Sequence, residues 1–541
     1  MNIAPPDGRP PKRRHLHLNF ITVPLISVLL LLACGVFNGR TLRDGIVGTN
    51  GIEPLNIMAL FISLAYISIS LDATGLLRFL AFWVASKGGS SGRVLFSYLY
   101  LFFLVCGIIV GNDPVILSGT AFLAYFTRVA GITPPTAWIF SQFAAANMAS
   151  VVLVSSNPTN LVLSGAFSIS FLTYAAHVVL PFLAAAFCVF PLLFVLFRTP
   201  GLIPARIDVG LTQAEVRATL IDARGAIFGS VLLLVTLVVL VGVSTIGAPV
   251  WMVTVPPAVI MLMRDVWYDW ANAGLQKTKE AQEDSVAVEA GAEDARPPVD
   301  GDEEVVVAGA VDTHQLELHD LSSRAPTIAA PGSPILPSTP VDLKHPRSRP
   351  PLLLSSQRFF THLHDTFPTV THVLERLPIA LLPFAFLMFI LVQGLASQGW
   401  VALCAKGWAA WVRATGSLGA VGGMGFLACL LCNICGTNIG ATILLARVLQ
   451  IYSASLPTPL STHDQRALTG AIYALALGSN FGAFTLTFSA SLAGLLWRHI
   501  LVGKGIHVRA REFLLTNLPI SLVAMGVGCA VLVGEVYVEY R

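Results

Sequence analysis

Apolar runs of membrane-crossing length alternate with short polar stretches along most of the chain, and in each half one run carries polar residues at its centre. The first half gives runs at 20–37, 57–71, 94–110, 115–126, 136–154, 171–197, 226–243 and 250–263, and the second at 377–395, 401–412, 418–434, 439–451, 468–496 and 513–533. Because a helix needs about 20 apolar residues to cross a bilayer, these runs predict about ten full spans plus two hairpins. The 115–126 run is too short to cross alone. With the polar Gly111-Asn112-Asp113-Pro114 before it, it fits one arm of a re-entrant hairpin whose tip reaches the midplane. The 20–37 run exceeds a signal-peptide core and reads as a retained first span.

The stretch from Asn147 to Leu163 organises the rest. It sets Asn147, Ser155, Ser156, Asn157, Thr159 and Asn160 in apolar surroundings, with Pro158 deleting one backbone donor. Backbone released from its ladder is tolerated at membrane depth only where it is buried in protein or lines a wet cavity, so the pattern predicts a helix broken around a binding site. Laying Asn147 on Asn480 also brings Leu153 onto Leu486, Ser156 onto Ser489 and Leu163 onto Leu496, with small residues matched between them. About one or two identities are expected by chance in such a window. Gly111-Asn112-Asp113 has its counterpart in Gly436-Thr437-Asn438, and Leu180-Pro181 in Leu518-Pro519, in the same order. Two halves with corresponding interrupted segments point to a midplane site.

Between the halves the character changes. The division read from the sequence is a polar tail at 1–19, a first membrane half at 20–263, a disordered hydrophilic linker at 264–376, a second membrane half at 377–535 and a short tail at 536–541. The linker is acidic at 280–304 and rich in proline and serine at 326–351, a composition that buries too little apolar surface to offset ordering. Its charges and serines suit regulatory partners. The basic residues Arg78, Lys87 and Arg93 after the second run favour a cytosolic N-terminus.

Composition agrees with an all-α polytopic membrane protein. Of 541 residues 55% are hydrophobic and only 12% charged, against about 25% in average soluble domains. A net charge of +3 with its basic residues in loops gives no nucleic-acid surface. The eight cysteines lie in or beside apolar runs and predict no disulfide framework. No Gly-x-x-x-x-Gly-Lys-Ser/Thr phosphate loop occurs, and His177 and His499 stand alone, so neither an ATPase on this chain nor an enzyme is expected, and no cofactor.

Asp113 is the acid best placed within the apolar segments; an intramembrane carboxylate is a candidate for proton or ion coupling, its plainer role being a cap on the return arm. Asn147 and Asn480 offer donors and an acceptor without the cost of a charge. Cys429, Cys432 and Cys435 recur on about one helical face, weak candidates for a thiophilic solute beside the simpler reading as packing residues. Arg128, Arg447 and Arg498 follow apolar runs and read as snorkelling side chains. Gly416, Gly419, Gly422, Gly423 and Gly425 read as helix-contact positions.

The run Tyr473-Ala-Leu-Ala-Leu-Gly-Ser-Asn-Phe-Gly-Ala, continuing through Ser489-Ala-Ser-Leu-Ala-Gly-Leu-Leu-Trp497, resembles the arsenite permease (ArsB) branch of the ion transporter superfamily. Gly111-Asn-Asp-Pro, Ala146-Asn-Met-Ala-Ser and Val154-Ser-Ser-Asn-Pro-Thr-Asn160 resemble matching segments of its first repeat. The resemblance implies two inverted structural repeats, each with a re-entrant hairpin and a broken transmembrane helix, and proton-coupled secondary transport by alternating access. The substrate-binding residues are then expected among Asn112, Asn147, Ser155, Ser156, Asn157, Thr159, Asn160, Thr437, Asn438, Ser479, Asn480, Ser489 and Ser491. The implied solute is an inorganic anion or metalloid of the arsenite or antimonite kind, with citrate or succinate as the alternative. Asn147 stands where the arsenite permeases usually carry aspartate, and Ser156-Asn157-Pro158-Thr159 interrupts the Ser-Asn-Thr signature expected of carboxylate-transporting relatives. A transport-dead scaffold or receptor is the third reading. The expected surroundings are the lipid bilayer and a small solute, with a homodimer admitted.

Overall fold

The computed structural model describes residues 18–49, 51–199, 201–207, 213–244, 250–293, 363–364 and 366–541. Among them, helices are α1 (Thr22–Ala33), α2 (Gly39–Val47), α3 (Pro54–Ala73), α4 (Leu76–Lys87), α5 (Gly92–Val110), α6 (Asn112–Val129), α7 (Thr136–Ala149), α8 (Pro158–Phe167), α9 (Phe171–Leu196), α10 (Gln213–Ala218), α11 (Ala223–Ser244) and α12 (Trp251–Glu293). The second half adds α13 (Pro368–Arg376), α14 (Leu381–Ser397), α15 (Trp400–Ile434), α16 (Asn438–Ala454), α17 (Thr462–Phe481), α18 (Leu492–Gly503) and α19 (Ala510–Glu539). Beyond two isolated bridges, Thr49–Ile52 and Ser91–Arg206, the described residues form no β-structure.

The element order recurs. Both halves run through a short amphipathic helix, an apolar helix, a two-armed hairpin turning on a positive-φ glycine, a broken helix and a long helix with an internal proline. The hairpins turn at Gly111 between α5 and α6, and at Gly436 between α15 and α16. The broken helices are α7/α8 and α17/α18. The halves interlock reciprocally: α2 packs on α14 while α13 packs on α3, and α6 packs on α18 while α16 packs on α8. Burial of apolar surface holds these pairs together, since one core cluster runs through residues of both halves.

Eight stretches among the described residues are long and apolar enough to cross a membrane, fewer than the ten expected. Residues 20–37 give only the 12-residue α1, about 18 Å at 1.5 Å per residue, because the chain turns at Gly35 with φ 70°. The 401–412 and 418–434 runs belong to one continuous element, α15, bent where Gly416 adopts φ 67° and ψ −160°. The 250–263 run lies inside α12, which continues past Met263 to Glu293. The expected linker at 264–376 therefore begins in helix and ends in α13, while its portion at 294–362 lies outside the described residues, as does most of the 1–19 tail. The chain divides into two units, one formed by Met1–Tyr268 with Pro368–Arg541 and the other by Asp269–Phe367.

Of the glycine run, Gly425 makes the close helix approach: a Cβ at Gly478 of α17 would lie 2.6 Å from its carbonyl oxygen. Gly416 forms the bend, Gly419 and Gly423 face Thr415 and Trp411 of their own helix, and Gly422 has open space beside it.

Candidate functional site

Each break is built by local chemistry. In the first, α7 ends at Ala149, a 3-10 turn covers Val154–Ser156, and Asn157 in extended conformation caps α8 by accepting from Thr159 N at 3.2 Å. Pro158 occupies the first helical position, where its missing N–H costs nothing. In the second, 3-10 turns at Gly482–Phe484 and Phe488–Ala490 lead to Ser491, which caps α18 by accepting from Gly494 N at 3.0 Å and donates to Ala483 O at 3.0 Å. The structural counterpart of Asn157 is thus Ser491. That register slips by one residue from the one pairing Ser156 with Ser489, so Ser489 ends up exposed, bonded to Thr487 at 3.1 Å.

The two breaks meet at Asn480. Its Oδ1 accepts from Ser150 Oγ at 2.9 Å and Asn157 Nδ2 at 3.0 Å, and its Nδ2 donates to Asn160 Oδ1 at 2.8 Å and Ala476 O at 2.9 Å. Asn160 Nδ2 in turn donates to Ser150 O and Leu153 O, at 2.8 and 2.9 Å. Thr159 is buried beside it, its hydroxyl 3.4 Å from Asn160 Oδ1. Every hydrogen-bonding position of the Asn480 amide is filled.

Asn147 differs from its sequence partner. It is wholly buried, its Nδ2 donates to Phe143 O at 2.8 Å, and its Oδ1 has no hydrogen-bond partner. Leaving a buried acceptor unmade costs about 1–3 kcal/mol, which marks Asn147 rather than Asn480 as the amide with capacity to spare.

The hairpin tips lie against the breaks of their own halves. Ser156 Oγ donates to Ile108 O at 3.1 Å, and Asn438 Nδ2 donates to Ser479 O at 3.3 Å. Ser479 Oγ itself turns back to Ala476 O at 3.1 Å. Thr437, at the cap position of α16, is buried with its hydroxyl unpartnered. Asn112 is buried, Ser155 and Asp113 are half-buried, and none of the three makes a side-chain hydrogen bond among the described residues. Asp113 sits in the first turn of α6 without capping it, so the positive end of the helix faces its carboxylate and the capping role is not realised.

Four residues of this arrangement escaped the sequence reading. Ser150 bridges to Asn480, and Asn433 of α15 donates to Thr485 Oγ1 at 2.7 Å while accepting from Thr487 N at 3.0 Å. Asn433 lies inside the 418–434 apolar run. The available signal was an asparagine within that apolar run together with the polar pair Thr485-x-Thr487 in the second break.

Asp113 is also not the only acid inside the helical bundle. Asp72 of α3 is buried, accepts from Ser118 of α6 and has Arg376 of α13 at 3.6 Å. Asp265 of α12 accepts from Tyr66 at 3.0 Å, Ser70 at 2.6 Å and Arg264 at 3.2 Å, and Arg264 pairs with Asp222. Asp72 lies just past the end of the 57–71 run and Asp265 within the stretch expected to be linker, so neither reads from the sequence as an acid inside an apolar segment.

Cys429 and Cys432 turn towards the second break, 3.4 Å and 4.0 Å from Gly478 O. Among the described residues no group of three His, Cys, Asp or Glu side chains could hold a metal ion. Arg498 stacks over Phe488 with 5.2 Å to the ring centroid, and Arg128 donates to Lys504 O at 3.0 Å. Arg447 does not snorkel: it is 8% exposed.

Fold and site define a polytopic membrane protein built on hairpins and broken helices. The sequence profile of the citrate transporter family matches residues 15–271, and that of the arsenical pump membrane protein family matches residues 362–536. An arsenical pump membrane protein from Escherichia coli is 29% identical over 208 residues, 38% of this chain and 48% of the relative; one from Yersinia enterocolitica is 29% identical over 197 residues, 36% and 45%. The chain spans about half the length of these curated relatives. The YdaH transporter of Alcanivorax borkumensis shares the fold with a TM-score of 0.50 at 14% identity, over 96% of this chain and 97% of that one. The chain is thus similar to citrate transporters in its first half and to arsenical pump membrane proteins in its second.

Proposed function

We propose that the protein is a secondary active transporter that moves an inorganic anion or metalloid of the arsenite or antimonite kind across a membrane by alternating access, coupled to protons. The observation that carries this is the joining of the two breaks through Asn480, with both hairpin tips packed against them. Two repeats of the opposite orientation that the resemblance implies, meeting at a shared polar centre, would give a site exposed to either side in turn. The substrate contacts assigned are the unsaturated groups, Asn112, Asn147 and Thr437, with Ser155 beside them, whereas Asn157, Asn160 and Asn480 hold the breaks in place. Half-helix N-termini at α6, α8, α16 and α18 supply positive dipole ends without a lysine or arginine. Asp113 is the assigned coupling acid.

Citrate or succinate is the second reading, favoured by the match of the citrate transporter family to the first half. Uptake into proteoliposomes under an imposed proton gradient, with arsenite, antimonite, phosphate, succinate and citrate side by side, separates the two. Metalloid or inorganic-anion flux supports the first reading and carboxylate flux alone the second. Binding without flux of any of them overturns both in favour of a receptor.

A further inference from the structure

A cleft of about 620 Å³ opens between the C-terminal ends of α8, α14 and α16, apart from the joined breaks. Arg447 forms part of its wall, about 13 Å of helix beyond the α16 tip at Asn438. Its guanidinium donates to Thr49 Oγ1 at 2.7 Å and Gln450 Oε1 at 3.0 Å, both neutral, and no carboxylate pairs with it among the described residues. Two of its five N–H donors are used. A buried cation without a counter-ion is costly, and such residues within membrane proteins mark ligand paths or partners.

The remaining lining is short of acceptors. Among the described residues it contains no aspartate or glutamate, and Gln393 accepts from Thr49 at its Oε1 at 3.3 Å while its Nε2 makes no hydrogen bond to them. The carbonyl ends of α8, α14 and α16 carry partial negative charge, about half an elementary charge each, and Ala166 O is already taken by Gln450 Nε2 at 2.7 Å. An anion would therefore be held by the unused N–H groups of Arg447 at hydrogen-bond range, against the partial charge of the helix ends.

We propose that this cleft is an oxyanion-binding site, in which Arg447 and the Gln393 amide hold a carboxylate or phosphate group. The site is independent of which solute crosses at the breaks. A planar guanidinium with free N–H groups matches two oxygens of such an anion. The group could be carried by a soluble anion or by a phospholipid head, and the test separates these sources.

Full-length protein in neutral detergent is titrated with inorganic phosphate and with succinate by thermal shift, and its retained lipids are counted by native mass spectrometry after exposure to phosphatidylglycerol. Binding of at least one probe is expected, weakened about tenfold in Arg447→Gln, the size of one lost charged hydrogen bond. Dependence on Arg447 for phosphate or succinate alone assigns a soluble anion, and for phosphatidylglycerol alone a lipid head. Ser453→Trp, which fills the cleft without replacing the guanidinium, must weaken the same probe and serves if Arg447→Gln does not fold. Binding of all three probes unchanged in these variants, or of none to the wild type, overturns the site. The Arg447-dependent part of the binding must persist in Asn147→Ala, the variant expected to stay folded and lose transport, so failure of the transport reading is distinguishable from failure of this one.

Discussion

Asn480 Nδ2 donates to Asn160 Oδ1 at 2.8 Å, a hydrogen bond between residues of different halves that ties one broken helix to the other. Asn147, which the sequence pairs with Asn480, makes no equivalent bond and keeps its Oδ1 unpartnered in the core. The same residue type at matched positions thus does two jobs, one saturated and structural, the other open.

That difference predicts opposite stability profiles. Asn480→Ala removes partners from Ser150, Asn157 and Asn160, each loss worth about 1–3 kcal/mol where the orphaned group stays dry. Asn147→Ala gives up one bond to Phe143 O and deletes an already orphaned oxygen, so its stability should change by less than about 1 kcal/mol. Thermal unfolding in detergent and uptake should show Asn480→Ala destabilised and inactive, and Asn147→Ala stable and inactive. Wild-type flux in a well-folded Asn147→Ala protein removes that residue from the site.

Asp113 makes no side-chain bond that folding depends on, so Asp113→Asn should insert and unfold like the wild type. As the assigned coupling acid, its replacement should abolish the response of uptake to an imposed proton gradient while downhill exchange persists. Unchanged gradient dependence would reduce it to a charge favoured by the helix N-terminus, worth about 0.3–1 kcal/mol.

Much of this architecture was legible because hydrophobicity and backbone chemistry are local. Pro158 after Asn157 marks the start of α8 by itself, and Gly111 and Gly436 mark the hairpin turns. The register inside the second break was not legible, since Ser489 and Ser491 are the same residue type two positions apart and only the bond from Gly494 N to Ser491 Oγ distinguishes them. Neither was the split between Asn147 and Asn480, which depends on long-range partners such as Ser150 and Asn157. Asp72 was missed for a similar reason: it ends an apolar run, and its burial comes from α6 and α13, far away in sequence.

The Asp72 contacts make a testable tie between α3, α6 and α13. Arg376→Gln leaves a buried carboxylate short of its cation, expected to cost about 2–4 kcal/mol, reduced by the partial exposure of Arg376 at 30%. Asp72→Asn keeps a group able to bond Ser118 and should cost less, about 1 kcal/mol. The double variant should cost less than the sum, because neither charge is then left alone. Thermal unfolding of the four proteins measures the coupling, and additive losses would show that the 3.6 Å pair contributes nothing.

The hairpin turns separate backbone strain from contact. Gly111 has φ 91° and ψ 171°, and Gly436 has φ 82°, so alanine at either must enter a conformation that L-residues rarely adopt, at about 1–3 kcal/mol. A Cβ at Gly111 would also stand 3.2 Å from Ser156 O, whereas one at Gly436 would meet nothing within 4 Å. Gly111→Ala should therefore be the more destabilised of the two, and it should lower uptake beyond its loss of folded protein because the displaced Ser156 belongs to the first break. Gly436→Ala should lose transport only in proportion to folded protein. Unfolding midpoints with uptake per folded molecule for both variants decide this, and equal effects on the two measures would mean that the first tip does not position the break.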